Sequence, residues 1–311
     1  MSQFGKFHDF CRDSTLPVCP LFILTSDNSS IGTFEPSCEL RGFQVNGNPL
    51  RNLGSIILCG FALVAVTYLL WRSERKQAAV GRREMQIFLI MYGIVSIAEI
   101  FSVGGFITNA IVLKWFSSIH VAAIATTCWM LLLNAIVGYQ ILDDGTLLSL
   151  SLFLVSGATI FIGTGYIALD TGFDYTGTFK PDADFKNYGL YVLYLIFPIV
   201  CLAGYFILES ILVLRVLGET RPMLLLAGAA VLFAIGQVFT FVISVHLCNA
   251  ADGRIDGALF ETLFTLLAVI TLWAFWSSIT EDTWIDEPLN PSMSDAGYDT
   301  HRSGRFDSQY A

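Results

Sequence analysis

The chain has 311 residues, 54% hydrophobic and 14% charged, with a mean hydropathy of +0.64 and a net charge of −9. A soluble domain of this size carries about 25% charged residues, so the composition excludes a large soluble core and points to a polytopic membrane protein. The acidic balance argues against nucleic acid as a partner, because that backbone needs a basic surface to neutralise it.

Residues 1–52 form a segment ahead of the first apolar run long enough to span a membrane. Residues 1–20 lack a basic start, an apolar stretch of the right length and a small-residue cleavage site, so the first span is expected to insert the protein by itself. The segment holds Cys11, Cys19 and Cys38, and Asn28-Ser29-Ser30 is the one proline-free N-x-Ser/Thr sequon in the chain, making Asn28 a glycosylation candidate. With Cys248, at the end of the sixth span, these cysteines allow two disulfides by three pairings, among which the sequence does not choose. Cys59, Cys128 and Cys201 fall within spans and read as small packing residues.

A hydrocarbon core about 30 Å thick needs roughly 20 apolar residues in a helix. Seven stretches qualify, at about 53–71, 86–109, 117–142, 147–169, 188–214, 223–247 and 258–279. The predicted fold is therefore an all-α bundle of seven transmembrane helices. Pro198 falls inside the fifth span, where a membrane helix tolerates it as a kink.

The loop after the first span carries Arg72, Arg75, Lys76, Arg82 and Arg83, the densest basic cluster in the chain. The positive-inside rule then predicts a lumenal N-terminus and a cytosolic C-terminus. Arg215 and Arg221, in the loop after the fifth span, fall on the same cytosolic side. So does the connection Asp143-Asp144-Gly145-Thr146 between the third and fourth spans. Asp and Gly are natural turn residues, and Asp144 or Thr146 is placed to cap the helix starting at Leu147. A polar hairpin turn outweighs a catalytic carboxylate pair there.

Intramembrane polar residues are costly and therefore informative. They are Glu99, Asn134, Gln140, Glu209, Gln237, His246 and Glu261, with His120 near a lumenal helix end. No HExxH, no His pair at helical spacing and no nucleotide-binding loop occurs, so no metal, no cofactor and no catalytic residue is assigned. Glu99, Asn134, Gln140, Gln237, His246 and Glu261 are read as helix-to-helix adhesion, with His246 and Glu261 expected to form a polar clasp. Two rivals are a seven-span receptor or lipid sensor, and an intramembrane hydrolase using His120, His246, Glu99 and Glu261. The receptor lacks an acidic-Arg motif at the end of the third span and an NPxxY in the seventh. Residues 280–311 are acidic and poor in apolar residues, which predicts a disordered cytosolic tail.

Four segments, in order, carry a resemblance. They are CRDSTLPVC (11–19), AVGRREM (79–85), the stretch with Asn134, Gly138, Gln140, Asp143 or Asp144, Gly145 and Thr146, and the run from Gly236 to Asp282 containing Cys248, Asp256, Gly257 and Phe260. Together they resemble the fungal chitin synthase export chaperone family over most of residues 11–284, with Val18 a minor departure. The resemblance implies a non-enzymatic protein of the endoplasmic reticulum membrane that lets a polytopic chitin synthase fold and leave, in support of cell-wall chitin. On that reading Arg82, Arg83, Glu84, Asp143 and Asp144 form a cytosolic face for the client or for vesicle coat machinery. The lumenal cysteines are then structural.

Overall fold

Uninterrupted apolar sequence leaves the backbone no water to bond, so each long run closes its own hydrogen bonds as a helix. The computed structural model describes residues 4–22, 37–38, 40–41, 43–45, 48–76, 78–140, 145–181 and 185–280. Seven of its helices are long and apolar enough to cross a membrane. After a short α1 (His8–Asp13) and a 3₁₀ turn (Cys19–Phe22) come α2 (Leu53–Arg75), α3 (Arg82–Val103), α4 (Ala110–Gly138) and α5 (Leu147–Phe173). The last three are α6 (Tyr188–Leu217), α7 (Arg221–Ala250) and α8 (Gly257–Ser278). An antiparallel pair, β1 (Phe43–Val45) and β2 (Asn48–Leu50), lies just before α2, a small addition to the all-α expectation.

The helix starts are written in the sequence. Asn52, Asn109, Thr146 and Asn187 each accept a backbone N–H of the first turn they precede, the usual work of an N-cap side chain. The caps correct two predicted boundaries. The third span begins at Ala110 rather than 117, because Lys114 is buried and its Nζ donates to the Gly172 carbonyl at 2.7 Å. That ammonium satisfies a free carbonyl in the last turn of α5. The second span ends at Val103 rather than 109, since Gly104 and Gly105 follow and Gly105 takes φ +73°. Pro198 has no N–H to give, and the turn ahead of it, Val192–Ile196, widens to π geometry.

α4 is the central post, packed on α3, α5 and α6, while α8 packs on α7 and α2, and α2 on α3. Burial follows that plan: half of the α3 and α4 spans is buried, against 22% of α5, α6 and α7. One core lies at the α2–α3 loop end, around Phe88, Leu89, Tyr205, Trp273 and Trp276. A second lies at the opposite end, where Phe7, Val18, Leu21 and Phe22 pack on Val121, Ala168 and Leu190. Residues 4–22 thus share a core with the helices. They are also tied to the α5–α6 loop by Phe7 N–H to Phe185 O at 3.2 Å and Asn187 N–H to Gly5 O at 2.9 Å.

At the start of α8, Gly257 touches the π-helical stretch Phe239–Ile243 of α7 so closely that a Cβ there would lie 2.3 Å from the Phe239 carbonyl oxygen. Its N–H donates to Ser244 Oγ at 3.2 Å.

Candidate functional site

About one to two turns inside the ends where α2 and α8 begin and α3 finishes, α3, α8, α2 and α7 bring their polar side chains to one place. Thr262 Oγ1 donates to Glu99 Oε1, and the same hydroxyl lies 2.8 Å from the Ala258 carbonyl. Its single proton serves one acceptor at a time. Cys59 of α2 also hydrogen-bonds Glu99, while Gln237 of α7 does so with Glu261. Thr265 Oγ1 reaches Glu261 Oε1 at 3.5 Å. Glu99 and Glu261 are therefore neighbours inside the membrane, each supplied with neutral donors from a different helix. Such donors hold helices together where lipid offers no alternative partner.

The expected His246–Glu261 clasp does not form. His246 is exposed, and among the described residues it makes no hydrogen bond or ion pair. Its place on the outer side of α7 could not be told from its span position alone. His120 is buried and its Nδ1 lies 2.7 Å from Ser102 Oγ. No hydrogen bond or ion pair links either histidine to Glu99 or Glu261 among the described residues, so the four groups of the hydrolase reading are not assembled. Nor do three His, Cys, Asp or Glu side chains among those residues converge as a metal site.

The α2–α3 loop end is knit by specific contacts. Trp273 Nε1 donates to Ser73 Oγ at 2.8 Å, Trp276 Nε1 to the Val80 carbonyl at 3.1 Å, and Lys76 Nζ to the Ser277 carbonyl at 3.0 Å. Arg83 bonds Gln86 Oε1 at 3.0 Å and lies 3.4 Å from Glu74 Oε2, and Arg82 reaches the Glu74 carbonyl at 3.3 Å. Glu84, expected on the partner face, is instead fully buried, with Oε1 accepting from the Gly145 N–H at 3.4 Å. It pins the α4–α5 turn to the start of α3. Among the described residues its Oε2 and Asn134 Nδ2 are buried without a protein partner, as is Glu209 Oε2. Gln140 is also corrected: α4 ends at Gly138, and Gln140 is exposed in the turn with φ +51°. Asp143 and Asp144 lie outside the described residues.

At the other end, disulfides join Cys11 to Cys19 and Cys38 to Cys248, one of the three pairings left open by sequence. Asn52 Nδ2 donates to Asp256 at 3.3 Å, and Thr15, inside the Cys11–Cys19 loop, also bonds that carboxylate. Burial pushes the Asp256 carboxyl above its ordinary range, against those hydrogen bonds. Asp13 is held below the usual carboxylate value, first by its hydrogen bond from Arg12 and then by Ser37. Ser37 Oγ donates to it at 2.6 Å, next to Cys38. Asn28 lies outside the described residues.

Lys114, Asn52, Ser102 and Thr262 escaped sequence reading, and Asp256 was noted there only as part of a resembling segment. Asn52 and Lys114 carried a signal, a cap residue before an apolar run and a lone cation within one. The others are ordinary polar residues that only the packing singles out.

Seven spanning helices cross-linked by uncharged donors, with a disulfide-stitched cap at one end and a tryptophan-pinned corner at the other, define a polytopic helical membrane protein. The chain belongs to the chitin synthase export chaperone family, whose family model matches residues 3–288. A chitin synthase export chaperone of Cryptococcus neoformans var. neoformans is 32% identical over 284 residues, covering 90% of this chain and 75% of the relative. Chaperones of that name from Coccidioides immitis and Chaetomium globosum are 29% and 28% identical, each alignment covering 90% of this chain and 83% of the relative. No solved structure matches.

Proposed function

We propose that this chain is a membrane chaperone that assists the folding of a chitin synthase and its exit from the endoplasmic reticulum. The observation that carries the reading is the family match across residues 3–288. It acts by contact rather than by covalent chemistry: polar intramembrane groups of the Glu99–Thr262 kind serve as helix adhesion, and a chaperone uses the same physics to shield a client's polar helix faces.

We place residues 1–52 in the lumen, 53–279 in the membrane and 280–311 in the cytosol. That orientation is supported by the five basic residues between Arg72 and Arg83. A glycan on Asn28 and the two disulfides suit a lumenal segment. Arg82 and Arg83, together with Asp143 and Asp144, form the cytosolic edge that meets the client or coat machinery, and buried Glu84 holds that edge in register.

The test is the location of fluorescently tagged chitin synthase in cells lacking this protein. Client retained in the endoplasmic reticulum while other membrane cargo leaves normally is the expected result. Normal surface delivery, in the absence of any paralogue, would overturn the reading.

A further inference from the structure

We propose that the corner formed by the end of α2 and the end of α8 binds the phosphate of an anionic membrane lipid, through Arg72 and Arg75. The two arginines are one helical turn apart, and each is held by an aromatic ring. The Arg75 guanidinium carbon lies 3.7 Å from the centre of the Trp71 ring. That of Arg72 lies 5.8 Å from the Trp273 ring, with Nη1 3.4 Å from Tyr68 Oη.

A ring against the face of a guanidinium, as Trp71 lies against Arg75, leaves the N–H groups in its plane available in a fork that matches a phosphate, while Arg72 shares one of its N–H groups with Tyr68. Among the described residues no carboxylate lies within ion-pair distance of either group, whereas Arg83 has Glu74 and Lys76 has the Ser277 carbonyl. Tyr68 and Trp71 are each about half exposed, at 52%, on the outer face of α2. Exposed Tyr and Trp at a span end mark the level of the lipid headgroups. Two uncompensated guanidinium groups thus stand, pre-oriented, at the depth where lipid phosphates lie. The helix-end dipole also favours cations here, but a dipole is served by any cation and does not require the stacked, forked arrangement. The inference is independent of the chaperone reading.

The experiment uses the full chain in phosphatidylcholine nanodiscs, with or without a minor fraction of phosphatidylserine or of a phosphatidylinositol monophosphate. Native mass spectrometry then reads the lipids retained on release. The wild type is expected to keep an anionic lipid in preference to phosphatidylcholine. Each arginine is worth about fivefold, so Arg72→Gln with Arg75→Gln should weaken retention by about twenty-five-fold. Arg215→Gln with Arg221→Gln, the same charge change at the helix ends flanking the α6–α7 loop, should leave retention unchanged. Arg72→Lys with Arg75→Lys keeps the charge and the helix-end stabilisation, so it remains available if the glutamine pair does not fold. It should still lose retention severalfold. Equal losses in both glutamine pairs, full retention in the lysine pair, no preference over phosphatidylcholine, or displacement of the lipid by added inorganic phosphate would each overturn the proposal.

Discussion

Gly257→Ala is a minimal change with a large expected effect. A methyl group at this position would meet the Phe239 carbonyl oxygen at 2.3 Å, Ser244 Cβ at 2.8 Å and the Phe239 carbonyl carbon at 3.0 Å. Two of these are backbone atoms and cannot rotate away. Restoring ordinary contact requires α8 and the π-helical stretch of α7 to part by about 1 Å, and overpacking of that kind costs about 1–3 kcal/mol. The same shift stretches the Gly257 N–H to Ser244 Oγ bond, which starts at 3.2 Å. Gly60 and Gly163 are the controls, because a Cβ at either meets nothing within 4 Å. Alanine there gains up to about 1 kcal/mol of helix propensity. The assay is the thermal midpoint at which purified protein in detergent loses its monodisperse chromatographic peak. Gly257→Ala should melt clearly below the wild type, with Gly60→Ala and Gly163→Ala at or above it. A Gly257→Ala midpoint level with the two controls would refute the close approach of α8 to α7.

Reversing Arg82 and Arg83 to Glu should impair client export at unchanged abundance, whereas Glu84→Ala should lower abundance itself, because that side chain is buried under the Gly145 turn; quantitative blotting beside client imaging separates the two. Trp273→Phe removes the donor to Ser73 Oγ and should cost about 1 kcal/mol, read as a lower thermal midpoint. Asp13, held below its ordinary value of 3.8, contributes stability above that pH and loses it as pH falls through its depressed folded-state value. The Asp13→Asn deficit should accordingly be present at neutral pH and vanish in strong acid, as followed by midpoints across a pH series. Non-reducing peptide mapping should recover Cys11 linked to Cys19 and Cys38 to Cys248, with Cys59, Cys128 and Cys201 alkylated as free thiols.

Seven spans were readable because apolar length is a physical requirement of the bilayer, and all seven runs became helices. The ends were less legible. A charge such as Lys114 looks like a boundary until a carbonyl is found for it across the bundle. Glu84 and the arginines beside it look alike in sequence, yet the helix turns one inward to Gly145 and the others outward. His246 and Glu261 were at matching depths, and depth fixes nothing about rotation around a helix axis. Asp256-Gly257 stood in a resembling segment, but the reason for the glycine, a carbonyl one atom's width away, is tertiary. The disulfide partners depended on which loops the bundle brings together, which one-dimensional spacing does not encode.

The Cys38–Cys248 bond also orders events during synthesis. Its two halves are 210 residues apart, so at translation rates of about 5–20 residues per second Cys38 waits roughly 10–40 s for its partner to be made. In that interval Cys11 and Cys19, separated by eight residues, can pair with each other as soon as both emerge, which removes the two nearest wrong partners. The long bond cannot close until six spans have been inserted in the right alternation. It is a covalent mark that the first six of the seven spans have been inserted, and a chain that lacks it still carries a free thiol at Cys38 and at Cys248.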